Sequence, residues 1–152
     1  HYAAKGFKTH PMNKGGWFGF EFGRVKMVQA VHSSSFPDGS YGGDPAGFVL
    51  DTPDGVLYFA ADTALTLDMQ LIPLTCPHLD IAILPIGSNF TMDYNDAVIA
   101  SDFIQCNRVI ASHYDTFGYI VVDHDAASAA FKKAGKELIF LPIAEETQFV
   151  KQ

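Results

Sequence analysis

No apolar run in these 152 residues approaches the ~20 needed to span a bilayer as a helix. No signal-peptide pattern is visible either. Basic residues are scarce: Lys and Arg total 10 against 17 Asp and Glu, a net charge of −7. With no basic cluster, nucleic acid is not expected as a partner, nor is docking on an anionic membrane surface. Cysteine is nearly absent. Cys76 and Cys106 lie far apart and form no CxxC pair, so no disulfide framework is expected and both read as reduced structural thiols of a cytoplasmic protein. Phosphate-loop, dinucleotide and GxSxG nucleophile fingerprints are all missing, which removes the commonest nucleotide and serine-hydrolase readings. Repeats, low-complexity tracts and linkers are missing too. An initiating Met is lacking, and His1-Tyr2-Ala3-Ala4-Lys5 reads like the end of a helix, so an N-terminal portion is expected upstream.

What is present is core material. The chain is 48% apolar with 13 Phe and 6 Tyr, ample for residues 1–152 to form a single domain. The first half predicts consecutive antiparallel strands: Trp17–Phe22 and Val25–Val31 joined through Gly23, then Ala46–Leu50 and Gly55–Ala60 joined through Asp54-Gly55. The second half alternates strand and helix. Asp80–Ile86 is a buried apolar run, and Asp93 caps a helix from Tyr94 to about Ile104. Arg108–Ser112 is a strand. Asp123 caps a helix whose stripe is Ala127, Ala130, Phe131 and Ala134, closed by Gly135. Glu137–Leu141 and Thr147–Val150 read as terminal strands. Between Asp62 and Pro73 the pattern is ambiguous, and a short helix capped by Thr63 and stopped by Pro73 is the choice made. Strands first, then alternation, fit a layered α/β domain with mixed sheets.

Three predicted strands end on a residue able to bind metal. Met27–Val31 runs into His32, Tyr58–Ala61 into Asp62, and Val109–Ser112 into His113. Imidazole and carboxylate are ordinary ligands for Zn, Mn or Fe. Three of them on separate rigid elements suggest one site at one edge of the sheet, with a position left for water that would attack a carbonyl or a phosphorus. Each taken alone is also consistent with a hydrogen-bonded residue at a strand terminus. The long Gly- and Ser-rich loop from His32 to Pro45 reads as a site border or as plain surface. His10, His78 and His124 sit beside prolines or helix starts and, with His1, are expected outside the site.

The segments Ala30-Val31-His32-Ser33-Ser34, Tyr41-Gly42-Gly43-Asp44-Pro45-Ala46-Gly47-Phe48 and Phe59-Ala60-Ala61-Asp62-Thr63 resemble the metallo-β-lactamase superfamily. So do Leu84-Pro85-Ile86-Gly87, Asn89-Phe90-Thr91-Met92 and Ser112-His113-Tyr114-Asp115-Thr116-Phe117. The likeness is to the branch of small metal-dependent hydrolases, similar in outline to L-ascorbate-6-phosphate lactonase. It implies a four-layer αββα sandwich, incomplete at the N-terminus. His32 and His113 are then metal ligands, and Asp62 is the bridging catalytic carboxylate. A complete site would hold two divalent ions, Zn or Mn, with Fe or Ni as alternatives. The implied activity is hydrolysis of an ester, lactone or phosphoester bond in a small molecule, with Ser33, Asn89, Tyr114 and Thr116 near the substrate. The superfamily's HxHxDH signature is absent here, so the full site needs a missing N-terminal segment or a complementary chain. Exposed sheet surface would then favour a homo-oligomer. The competing expectation is a non-catalytic fold that serves as a binding or assembly module with at most one weakly held metal. A di-iron redox enzyme would need a flavin partner domain, and none is visible.

Overall fold

The computed structural model describes residues 2–148. Seven strands form one sheet in chain order: β1 (Trp17–Phe20), β2 (Gly23–Gln29), β3 (Ala46–Thr52), β4 (Gly55–Phe59), β5 (Ile81–Pro85), β6 (Arg108–Ser112) and β7 (Glu137–Ile139). The first four pair antiparallel and the last four, counting β4 again, pair parallel. Strand β2 therefore runs in the same direction as β4, β5 and β6. All four deliver their C-terminal ends to one edge, and this places the site.

Most expected elements are present, for the reasons anticipated. Helix α2 (Tyr94–Phe103) starts where the Asp93 carboxylate accepts the N–H groups of Asn95 and Asp96. Helix α3 (His124–Lys133) starts where Asp123 accepts that of Ala126, and Gly135 follows in the left-handed region at φ 72°. The ambiguous segment resolves differently from expectation. Thr66, not Thr63, caps a 3-10 turn over Leu67–Leu71, which runs on into α1 (Ile72–Thr75). Pro73 does not stop this helix, because it sits in the first turn, where its missing N–H has no helical partner to lose. The β1–β2 turn is Glu21-Phe22, and Gly23 opens β2. Its φ of 142° and the Asp51 carbonyl 2.3 Å from where a Cβ would stand leave room only for glycine. Thr147 and Gln148 lie outside any strand; the rest of the expected last strand falls outside the described residues.

The sheet has two different faces. Lys26, Val49, Tyr58, Ala82, Val109 and Leu138 align across it in one row. The apolar members of that row join Met69, Ile72, Ala97, Ala100 and Phe131 of the helical segments in one core. The next row, Met27, Phe48, Phe59, Ile83, Ile110 and Ile139, points the other way because side chains alternate along a strand. Each of those six is partly or largely exposed. Among the described residues, then, one sheet and one helical layer make two layers, part of the incomplete αββα sandwich expected. No helix among them is long and apolar enough to cross a membrane.

Tyr58 lies at the centre of the packed row with no exposed surface, yet its hydroxyl has no hydrogen-bond partner. Burial alone pushes its pKa above the ordinary 10.0. Because the unfolded chain's phenol ionises above about pH 10 while the buried one stays neutral, the fold loses stability as pH rises above that value and is unaffected by this group below it. Tyr58→Phe removes the orphan hydroxyl. It should be neutral or stabilising by about 1 kcal/mol at neutral pH and should abolish this part of the alkaline loss. Urea unfolding at neutral pH and above pH 10 checks both.

Candidate functional site

The site is built at the edge where β2, β4, β5 and β6 end. Past β4 the chain keeps its pairing for one more residue, the Ala60 N–H donating to the Ile83 carbonyl at 3.0 Å. Ala61 then turns through the left-handed region at φ 56°, a conformation that costs a non-glycine residue on the order of 1 kcal/mol or more. The turn sends Asp62 outward, with its side chain 50% exposed. His113 follows β6 in the same way, at φ 53°. Its Nε2 stands 3.9 Å from Asp62 Oδ2. Its Nδ1 is buried without a partner.

Thr63 ties these ends together and is fully buried. Its Oγ1 accepts the Val31 N–H at 2.9 Å and donates to the Ala64 carbonyl at 2.8 Å. Ala64 N–H donates to the Val31 carbonyl, and Met92 N–H to the Thr63 carbonyl. One threonine thus links the segment carrying His32, the segment carrying Asp62 and the loop after β5. Sequence reasoning treated Thr63 only as a helix cap. Its polar side chain beside the acid was the available signal. Gly87 sets the other spacing, because a Cβ there would lie 2.0 Å from the His113 carbonyl oxygen.

The expected site residues fall as follows. Asp62 and His113 come together. His32 lines a cavity of about 370 Å³ shared with Asp62, Ser33, Ser34, Pro45, Ala46 and Phe59. Its Nδ1 lies 2.9 Å from the Ser33 carbonyl. A carbonyl only accepts, so Nδ1 carries the proton, which in the neutral ring leaves the Nε2 lone pair free for a metal. Among the described residues no three His, Cys, Asp or Glu side chains converge closely enough to hold a metal ion. The chain thus brings two of the three expected ligands together and sets His32 on the wall of a cavity it shares with Asp62. Asn89 and Thr116 are exposed on the loops after β5 and β6. The Tyr114 ring packs edge-on against His124 and Phe140.

The donor chemistry of Asp62 and His113 suits a divalent cation. A 3.9 Å gap is too long for a hydrogen bond between Asp62 and His113, but is within twice the ~2.0–2.1 Å of a metal–ligand bond. The other histidines stay apart from this pair. His10 stacks on Phe18 at 3.7 Å. His78 lines a cavity with Arg108 and Lys136. His124 pairs with Asp115 at 2.6 Å, a contact not foreseen from sequence. The Val122 N–H and then His124 hold the Asp115 carboxyl below the usual carboxylate range. His1 lies outside the described residues. Cys76 and Cys106 are free thiols.

Comparison with known proteins identifies the family and the fold. The model of a beta-lactamase superfamily domain matches residues 1–114. A UPF0173 metal-dependent hydrolase of Christiangramia forsetii is 59% identical over 97% of this chain and 65% of its own length. Igni18, a metallo hydrolase of Ignicoccus hospitalis, superposes with a TM-score of 0.83 at 27% identity, over 95% of this chain and 62% of its own. YhfI of Bacillus subtilis, a metallo-beta-lactamase fold protein, superposes with a TM-score of 0.62 at 13% identity, over 84% of this chain and 49% of its own. The chain therefore spans between about half and two thirds of the length of these relatives, and its sheet and helices are an α/β metallo-β-lactamase-like fold.

Two substitutions test the construction. Thr63→Val leaves the Val31 N–H without its acceptor and should cost about 1–3 kcal/mol, whereas Thr63→Ser should keep most of the stability; urea unfolding of the three proteins decides it. Gly87→Ala must separate β5 from the β6 exit and should cost about 1–3 kcal/mol. It should also move the His113 imidazole resonances in an NMR spectrum, and unchanged resonances would show that the contact does not set the His113 position.

Proposed function

Because the chain belongs to the beta-lactamase superfamily, we propose that it carries one part of the active site of a metal-dependent hydrolase. The observation that supports this most directly is the approach of Asp62 to His113 at the edge where four co-directed strands end. Asp62, His113 and His32 are the residues that would hold metal. A bound divalent ion, Zn or Mn by its nitrogen and oxygen donors, supplies Lewis acidity and a nucleophile generated at neutral pH. The chain's own residues do the rest. The Ser33 carbonyl fixes the His32 tautomer. Thr63 and Gly87 hold the spacing of Asp62 and His113. Ser33 and Asn89 border the substrate, with Thr116 on the far loop. The bond cleaved is an ester, lactone or phosphoester.

The same reading accounts for the exposed apolar row on the sheet. It is the surface on which a further sheet and its helices would complete a four-layer αββα sandwich, supplied by the length that the relatives have beyond this chain or by a complementary chain. That part would bring the remaining metal ligands and, with them, a second ion. Residues 1–152 alone should then self-associate through this face. A binding module with at most one weak metal is the second reading, favoured by the want of any three-ligand cluster among the described residues.

The test uses the intact protein, loaded with Zn or Mn and assayed on generic lactones and phosphodiesters. Two metal equivalents by mass spectrometry, and activity lowered at least about 100-fold in His113→Ala, are expected from a lost metal ligand or its positioning partner. One equivalent or fewer with no hydrolysis supports the binding module instead. Light scattering of residues 1–152 provides an independent check, since a clean monomer at high concentration contradicts the role given to the apolar face.

A further inference from the structure

Beside the candidate site the loops after β5 and β6 expose a run of aromatic rings. Phe90, Phe117 and Tyr119 are 51%, 47% and 76% exposed. Phe90 and Phe117 have ring centroids 6.0 Å apart, and Phe117 and Tyr119 6.4 Å. Phe90 and Phe117 sit three and four residues past Gly87 and His113, where the two loops meet, a Cβ on Gly87 falling 2.0 Å from the His113 carbonyl oxygen. The backbone beneath the rings is held firmly. Ser88 N–H donates to the Met92 carbonyl at 2.9 Å, Met92 N–H to that of Thr63 at 3.1 Å, and Asp115 N–H to that of Ile120 at 2.8 Å. Ser88 and Asn89 both take left-handed backbone conformations, at φ 64° and 55°, as does Asp115 at 58°. Ser88 is strained there while Asn89 tolerates the conformation readily, and the hydrogen bonds on either side of the turn hold Phe90 in place.

Rings held apart on preorganised loops, beside a polar metal-binding edge, suit a ligand that is polar at one end and planar and apolar at the other. Its flat part would lie across the ladder by stacking and edge contacts, and its polar end would reach the Asp62–His113 edge. We propose that Phe90, Phe117 and Tyr119 form the apolar subsite of this active site, and that the substrate carries an aromatic or similarly planar apolar group next to the bond cleaved. This rests on the hydrolase reading and narrows its substrate class. Open-chain sugar phosphates and other wholly polar substrates would leave the ladder unused.

Binding tests the subsite apart from turnover. In the intact metal-loaded protein, 2-naphthoate and acetate share a carboxylate and differ in the ring. Naphthoate should bind at least about tenfold tighter, equivalent to about 1.4 kcal/mol, and should shift the ring resonances of Phe90, Phe117 and Tyr119. Phe90→Ala and Phe117→Ala should each remove most of that preference, and Phe117→Tyr should keep it. Equal affinities, unmoved ring resonances, or a preference that survives the Phe90→Ala, Phe117→Ala double variant overturn the subsite. So does a finding that the rings are covered by the remainder of the intact protein. Metal content measured in the same samples separates the two failures. Two ions with no aromatic preference would sink the subsite and leave the hydrolase standing, whereas one ion or fewer would count against the hydrolase however the rings respond.

Discussion

The hydrogen bonds of one buried threonine set the geometry of the sheet edge. Thr63 accepts from Val31, donates to the Ala64 carbonyl and receives the Met92 N–H on its own carbonyl. Three chain segments far apart in sequence are fixed to one another at a residue without exposed surface. In that dry setting each lost partner costs a full desolvation penalty, so the three loop ends have little freedom to drift. The left-handed turn at Ala61 is affordable only inside such a frame. It places Asp62 within 3.9 Å of His113, and neither residue needs a direct bond to the other to stay there.

Strand direction explains why this frame collects functional groups at all. In a purely antiparallel meander the exits of successive strands alternate between edges, and a His after one strand cannot meet an Asp after the next. Here β2 and β4 are co-directed because β3 lies antiparallel between them, while β5 and β6 join by parallel pairing. The sheet passes from antiparallel to parallel at β4, and Asp62 lies just beyond that strand. Ligands in open α/β sheets gather outside the carboxyl ends of strands where the strand order changes; the change of pairing at β4 makes an analogous crevice.

Much of this was legible in the sequence, and the exceptions have physical causes. Asp93 and Asp123 were readable as caps because a carboxylate before a periodic stretch has a local job. The strands leading to His32, Asp62 and His113 were readable because apolar runs that stop on a polar residue mark a buried element reaching an edge, although β2 ends at Gln29 and β4 at Phe59, short of the residues expected. Thr63 was misread because its partners, Val31 and Met92, are distant, and a cap and a tertiary hydrogen bond look alike in one dimension. The segment after it was misplaced because a Pro inside a first turn and a Pro after a last turn give the same local signal. The His124–Asp115 pair was invisible for a similar reason: only the fold of the loop after β6 brings them to 2.6 Å. The expectation of an incomplete αββα sandwich is met in part, by a metallo-β-lactamase-like sheet with helices packed on one face among the described residues.

The bare face of the sheet and the candidate site meet at one residue. A row of Met27, Phe48, Phe59, Ile83, Ile110 and Ile139 spans the sheet in register, a run too continuous for scattered surface hydrophobes. Phe59 belongs to that row and also lines the cavity between His32 and Asp62. Whatever covers the row must therefore come up against the cavity wall as well. A partner that buried the apolar face without reaching Phe59 would leave an exposed ring at the rim of the site. A partner that reached it would bring its own side chains alongside Asp62 and His32. Under the proposed hydrolase reading, packing of the sheet and completion of the ligand set would be one event, with Phe59 as the residue common to both.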